Sequence, residues 1–186
     1  MSTGHPTMGE PNRKTVGSKT VESNSVAREK LVKEFTEKAE LSRGLEREAT
    51  VEIDLVLNLT KGIREMIVQD DHYKSFTEEE QINYPNEISP KNDVLSLVDD
   101  IITASLAVKK MLPDYHIHPL DKKSQMDKAI ILLSNKVDEL QLLSGRTGVK
   151  GTPELNKKII QVRNVTEKLF IFIYNIENAF SVEEAA

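Results

Sequence analysis

The chain has 186 residues, no cysteine, 30% charged residues and a formal net charge of −5. The lack of cysteine excludes disulfides, thiolate zinc sites and cysteine nucleophiles, and an acidic chain without a dense Lys/Arg block is not expected to bind nucleic acid directly. Because it lacks an apolar signal core and any apolar run near the roughly 18 residues of a membrane span, we expect a nuclear or cytoplasmic protein that does not contact a membrane.

The first segment, residues 1–25, is rich in Gly, Pro, Ser and Thr and holds almost no large apolar side chain. Such a segment cannot bury enough apolar surface to offset the entropy lost on ordering, so its composition predicts a disordered tail. The remaining residues, 26–181, are expected to form one helical domain, since a chain of this length favours one main core.

The first predicted helix covers residues 26–69, which contain no proline. A narrow apolar stripe begins with Leu31, Phe35, Ala39 and Leu45. It continues as a four-three seam, which is typical of a helix packed along a neighbour, at Ala49, Ile53, Val56, Thr60, Ile63 and Ile67. A helix of this length would span roughly 60 Å, more than the later helices can cover. Either it breaks near Ser42-Arg43-Gly44, or its charged half, residues 28–47, projects beyond the bundle.

The charged half has two interpretations. A long helix with a narrow apolar stripe that outruns its own bundle usually packs on another chain, which would make Leu31, Phe35 and Leu45 partner-binding residues. The alternative is an exposed helix that is stabilised by ion pairs one turn apart, such as Glu34 with Lys38. The sequence leaves both open.

Residues 70–90 are acidic, contain two prolines and predict a long surface crossover. This segment contains His72, the only residue that suggests a histidine phosphotransfer bundle, an architecture with four helices and an exposed histidine. Here Lys74 stands two rather than three residues further on, and the neighbouring Asp70 and Asp71 would repel a phosphoryl group. The phosphotransfer hypothesis is therefore the least favoured.

Two further helices, residues 92–112 and 121–144, are predicted to fold back on each other. Each carries a seam spaced three and four residues apart: Val94, Leu97, Ile101, Ala104, Val108 and Met111 in the first, and Met126, Ile130, Leu133, Val137 and Leu140 in the second. Between them, Pro113 and Pro119 each lack an amide donor and disfavour helix at the preceding residue, so they predict a turn of about six residues.

No metal or cofactor site is expected. His116 and His118 could chelate a metal only with a third ligand, and such a pair in a turn is a weak motif. The glycine-rich stretch of residues 145–151 is not a phosphate loop, because Lys150 precedes Gly151 instead of following a glycine. The sequence accordingly predicts neither a catalytic residue nor a cofactor, and a protein that is not an enzyme.

The last predicted helix covers residues 153–180, with Thr152 as its N-cap and Pro153 at its first position. Its seam is Leu155, Ile159, Val162, Thr166, Leu169, Ile173, Ile176 and Phe180. Around Phe170 and Phe172 the helix is apolar on nearly every side, and a helix of this kind is buried by several neighbours. One small chain cannot easily supply them all, so we expect Ile159, Phe170 and Phe172 to contact a partner.

The four patterns predict an all-α fold, an elongated four-helix bundle or pair of antiparallel coiled-coil hairpins with one long N-terminal helix. The function that fits best is a non-enzymatic scaffold subunit that joins other helical subunits in a multiprotein complex. The alternative is a homo-oligomeric helical structural protein, for example from a virus or phage.

The run Leu106-Ala-Val-Lys-Lys-Met-Leu-Pro113, followed by Tyr115, Ile117, Gln125 and Met126, resembles the helical hairpin of small coiled-coil subunits of the Mediator transcription complex. The resemblance covers residues 94–143. It implies a helical hairpin, assembly with other subunits and a role in transcription in the nucleus.

Overall fold

The computed structural model describes residues 17–69, 91–145 and 153–181, and within these ranges the chain forms four α-helices and no strand. They are α1 (Gly17–Gln69), α2 (Lys91–Tyr115), α3 (Pro119–Gly145) and α4 (Pro153–Ser181). The predicted all-α helical bundle is confirmed. The chain divides into two compact units, Met1–Glu37 and Lys38–Ala186, and the bundle described below belongs to the second.

The start of α1 differs from the prediction. The helix begins at Gly17 rather than at Val26, so residues 17–25, which the composition assigns to a disordered tail, are helical. Once a helix is nucleated, each added Ser, Lys or Glu costs only a few tenths of a kcal/mol, which explains the extension. The rest of that predicted tail, residues 1–16, lies outside the described residues.

The possible break at Ser42-Arg43-Gly44 does not occur, because α1 is continuous through these residues. Ser42 is fully buried, and its Oγ donates a hydrogen bond to the carbonyl oxygen of His116 at 2.8 Å. A single glycine costs a helix about 1 kcal/mol, a penalty that a long and anchored helix tolerates.

The turn between α2 and α3 is shorter than predicted and consists of residues 116–118. Pro113 lies inside the last turn of α2, where the amide of His116 still donates to the carbonyl of Leu112 at 3.2 Å. The helix tolerates Pro113 because the carbonyl left without a donor belongs to Lys109, an exposed residue that water can reach. At the other end, Pro119 is the first residue of α3, a position where a missing amide hydrogen costs nothing.

Side-chain pairs establish which helices are neighbours in the bundle. Arg64–Asp99 and Asp54–Lys109 join α1 to α2, Asp100–Lys136 joins α2 to α3, Lys123–Glu177 joins α3 to α4, and Glu52–Lys168 joins α4 to α1. Along α1 the paired residue numbers rise while those on α2 fall, so these two helices are antiparallel. The same holds for α3 and α4, where Gln141 pairs with Arg163. Each helix therefore runs antiparallel to both of its neighbours.

The core lies along the predicted seams. All six members of the α1 seam from Ala49 to Ile67 are buried, as are seven of the eight predicted for α4, from Leu155 to Ile176. Two of them are polar, but the hydroxyls of Thr60 and Thr166 donate to the carbonyls of Val56 and Val162, one turn earlier. A threonine satisfied in this way can occupy a seam position without leaving an unpaired polar group.

Candidate interaction surfaces

A stripe of large apolar side chains is exposed on α1. Leu31, Val32 and Phe35 are each more than 60% exposed. At 100° per residue they fall within about 100° of the helix circumference, so they form a continuous surface, which we call the α1 stripe. Apolar side chains grouped in this way on a helix are typical of a surface that packs against another helix.

The opposite side of the same segment is polar and contains two ion pairs one turn apart. Lys30 Nζ lies 3.8 Å from Glu34 Oε1, and Lys33 Nζ lies 4.0 Å from Glu37 Oε1. Exposed pairs of this kind contribute about 0.3 kcal/mol each. These ion pairs stabilise the helix from the side opposite the α1 stripe and leave the stripe uncovered.

The other predicted partner-binding residues lie in or against the core. Leu45, Phe170 and Phe172 are half-buried and pack against it. Ile159 is 2% exposed and belongs to the core itself, so a partner could reach it only by opening the bundle. Of the six predicted residues, the structure therefore leaves only Leu31 and Phe35 largely exposed.

A second apolar surface was not predicted. Ile131 on α3 and Ile171 and Tyr174 on α4 are each more than half exposed. The sequence contained a signal, because Ile171 and Tyr174 fall outside the four-three seam that binds α4 to the core. The sequence analysis noted that α4 is apolar on nearly every side in this region. It assigned the partner contact to Phe170 and Phe172, which pack against the core, and not to Ile171 and Tyr174.

A polar cluster joins three helices at the end of the bundle near the α2–α3 turn. The Tyr115 side chain is fully buried, and its hydroxyl has no hydrogen-bond partner of good geometry. Burial raises the pKa of Tyr115 far above its usual range, and the negative charges of Glu177 and Asp127 raise it further. Lys123 bridges those two carboxylates, and its hydrogen bond to Glu177 raises the pKa of its ammonium group. The cluster holds one ammonium group between two carboxylates, and the pKa shifts of Tyr115 and Lys123 are both upward, away from the range useful for acid–base catalysis at neutral pH.

One carboxylate, that of Glu52, is buried although it is not a member of the predicted seam of α1. Glu52 is 5% exposed and accepts a hydrogen bond from Lys168 Nζ. The same ammonium group lies 5.8 Å from the centre of the Phe172 ring, within range of a cation–π interaction. Glu52 adjoins Ile53 on the buried side of α1, so the packing of α4 covers it.

The histidines considered above do not assemble a site. His116 is half-buried and His118 is exposed. In the three described ranges, no three or more His, Asp or Glu side chains are grouped so that they could hold a metal ion. His72, the residue of the phosphotransfer hypothesis, lies outside the described residues.

Within the same ranges, no helix has an apolar stretch that is long enough to cross a membrane. Among the described residues, the α1 stripe and the exposed apolar side chains of α3 and α4 are the candidate interaction surfaces. Comparison with known proteins associates them with no family, since no family model, no curated protein and no solved structure matches this chain.

Proposed function

We propose that the protein is a non-enzymatic structural subunit that assembles with other helical chains through the α1 stripe. The observation that supports this proposal is the exposure of Leu31, Val32 and Phe35 on one side of a single helix. Burying three such side chains would contribute about 1.5–3 kcal/mol each before the costs of association.

The shape of the stripe favours a helical partner. Side chains one, three and four residues apart form a narrow ridge, and the complementary surface for such a ridge is the groove of another helix. A flat or loop-built partner would contact more of the helix circumference than these residues cover. The ion pairs on the opposite side remain solvated in this arrangement.

The identity of the complex is proposed from the helical hairpin. The resemblance of residues 94–143 to hairpins of the Mediator complex supports a transcription-related assembly in the nucleus, with other helical subunits as partners. In this proposal the bundle supplies the scaffold and the α1 stripe supplies the attachment.

Copurification from cells that express the protein tests the proposal, with two variants that differ only in the side of α1 they alter. Phe35 and Val26 are 67% and 66% exposed, and they lie nine residues apart, on opposite sides of the helix. We expect Phe35→Asp to lose the helical proteins that copurify with the unaltered chain, and Val26→Asp to retain them. Equal recovery with Phe35→Asp would contradict the proposal.

A further inference from the structure

The outer side of the α3–α4 pair, which we call the α3–α4 face, has the composition of a protein interface. Besides Ile131, Ile171 and Tyr174, it exposes Leu142 on α3 and Ile160 on α4, each by half or more. At 100° per residue, the side chains of these five residues point away from the core, on the outer side that α3 and α4 share.

Charged residues are few on the part of this face that α4 contributes. Between residues 160 and 178 the outward positions of α4 are Ile160, Asn164, Glu167, Ile171, Tyr174, Asn175 and Asn178. Glu167 is the one charged residue among them, and it pairs with Arg163 at the edge of the face, while Lys157 continues the same side one turn before Ile160. A patch that combines exposed aromatic and aliphatic side chains with few charges is typical of the centre of a protein–protein interface.

Two contacts set the register of α3 against α4. Lys123 pairs with Glu177, and Gln141 accepts a hydrogen bond from Arg163 at 2.7 Å. Interpolating between these contacts along two antiparallel helices places Ile131 level with Ile171. It also places Leu142 beside Ile160. The exposed apolar residues of the two helices therefore occur at matching heights.

We propose that this face binds the same face of a second copy of the chain. A two-fold axis parallel to the helices places α3 of one copy against α4 of the other. Each residue keeps its position along the axis, so residues at the same height in one copy are also at the same height across the interface. Ile131 of each copy then lies against Ile171 and Tyr174 of the other. Leu142 packs on Ile160 in the same way, and the two-fold symmetry makes each of these apolar contacts occur twice in the dimer.

The polar residues fit the same arrangement. The carboxylates of this face are those of Asp127, Asp138 and Glu167, of which Asp127 and Glu167 pair with Lys123 and Arg163 of their own helices. The two-fold places the three carboxylates at the heights of Asn175, Asn164 and Asn135 of the other copy. An asparagine amide can donate a hydrogen bond to a carboxylate. No carboxylate stands at the same height as a carboxylate of the facing helix, so the polar residues are compatible with this arrangement.

The area is sufficient for a dimer. With 27 and 29 residues, α3 and α4 are each about 40 Å long, and two helices side by side are about 20 Å wide. The face therefore offers about 800 Å² per copy, the usual contribution of each partner to a stable complex.

Sedimentation of the purified full chain over a range of concentrations tests the inference. We expect a dimer that becomes a monomer in Ile131→Asp and in Ile171→Asp, with helicity by circular dichroism unchanged because both residues are exposed. The control Val51→Asp alters an equally exposed residue on α1, outside the face, and should leave the dimer intact. A chain that is monomeric at all concentrations, or a dimer that survives both substitutions at the face, overturns the inference.

Cysteine cross-linking tests the geometry, since the natural chain contains no cysteine. An equimolar mixture of Ile131→Cys and Ile171→Cys chains, allowed to exchange and then oxidised, should give a covalent dimer on a non-reducing gel. Neither variant alone should give it, because the two-fold brings residue 131 to residue 171 and not to itself. A covalent dimer formed by either variant alone, or none from the mixture, contradicts the proposed symmetry. These outcomes are independent of the α1 stripe, which Phe35→Asp tests separately.

Discussion

The pair formed by Glu52 and Lys168 shows how a buried charge is accommodated in this bundle. The carboxylate is nearly inaccessible, whereas the ammonium group remains partly in water and also lies over the Phe172 ring. Since most of the desolvation cost falls on Glu52, the lysine matters mainly because it keeps that carboxylate from being buried alone.

We therefore expect Lys168→Met to lower the free energy of unfolding by about 2–3 kcal/mol, because it leaves Glu52 buried without its partner. The double variant Glu52→Leu with Lys168→Met should recover most of this loss, as two apolar side chains replace the pair. Urea denaturation of the two variants and the unaltered chain provides the measurement. Additive losses in the double variant would show that the carboxylate is not the source of the penalty.

Tyr115 leads to a prediction about alkaline pH. Its pKa is raised in the folded state, so the folded chain holds the phenolic proton more tightly than the unfolded chain does. Its contribution to stability is complete below the unfolded pKa of about 10 and is lost as pH rises above that value, by about 1.4 kcal/mol per pH unit. The raised pKa of Lys123 acts in the same direction.

Tyr115→Phe should therefore have a shallower loss of stability above pH 10, while the contribution of Lys123 remains. Near pH 7 we expect the variant to be as stable as the unaltered chain or slightly more stable, because the buried hydroxyl has no hydrogen-bond partner of good geometry. Denaturation at pH 8 and at pH 11 measures both effects. An identical pH dependence in the two chains would refute the assignment.

At the residue scale, the sequence predicted the burial of residues that belong to a seam, but it missed the burial of a residue beside one. Ile173 was placed in the core and is 2% exposed. Glu52 was not among the residues predicted to be buried, although it directly precedes the seam residue Ile53 and is 5% exposed. Whether a residue that flanks a seam is covered depends on how close the neighbouring helix lies, and hydrophobic periodicity contains no information on that distance.

At the scale of single helices, α1 has two internal glycines that bear on its stability. A Cβ added at Gly44 would meet no atom within 4 Å, and one added at Gly62 would lie 3.6 Å from Lys158 Nζ, an ordinary contact. Neither glycine is therefore required by packing, and each makes the helix weaker than an alanine would.

Gly44→Ala should raise the free energy of unfolding by about 0.5–1 kcal/mol, since alanine is the stronger helix former and the site has room for it. For a chain of this size the melting temperature should rise by about 2–3 °C. Gly62→Ala is the matched comparison, with a gain of the same sign that its contact with Lys158 can reduce. A fall in melting temperature with Gly44→Ala would mean that α1 requires a bend at this residue.

The existence of each helix was predictable from its seam, but the ends were predicted less well. Proline rules placed the end of α2 before Pro113, yet the helix continues to Tyr115 because the affected carbonyl is exposed. The start of α1 was missed because polar residues carry no periodic signal. Both errors arise from effects of about 1 kcal/mol or less that a sequence pattern does not resolve.

At the scale of the whole molecule, the seams of α1 to α4 close one core within the chain, and the two exposed apolar surfaces remain outside it. The sequence predicted this number of helices and their antiparallel hairpin. It did not distinguish the core residues from the exposed apolar residues, because both follow the same spacing. Ile159, which we expected at a partner surface, and Phe35, which is exposed, belong to stripes that look alike in the sequence.

The most direct test of the account compares two aspartate substitutions by thermal unfolding, followed by circular dichroism. Ile173→Asp places a carboxylate in the closed core, so we expect a loss of more than about 4 kcal/mol and a chain that is largely unfolded. Phe35→Asp alters only the α1 stripe and should leave both the helicity and the melting temperature of the bundle unchanged. If Phe35→Asp unfolded the chain and Ile173→Asp did not, the core and the partner-binding surface would be the reverse of those described.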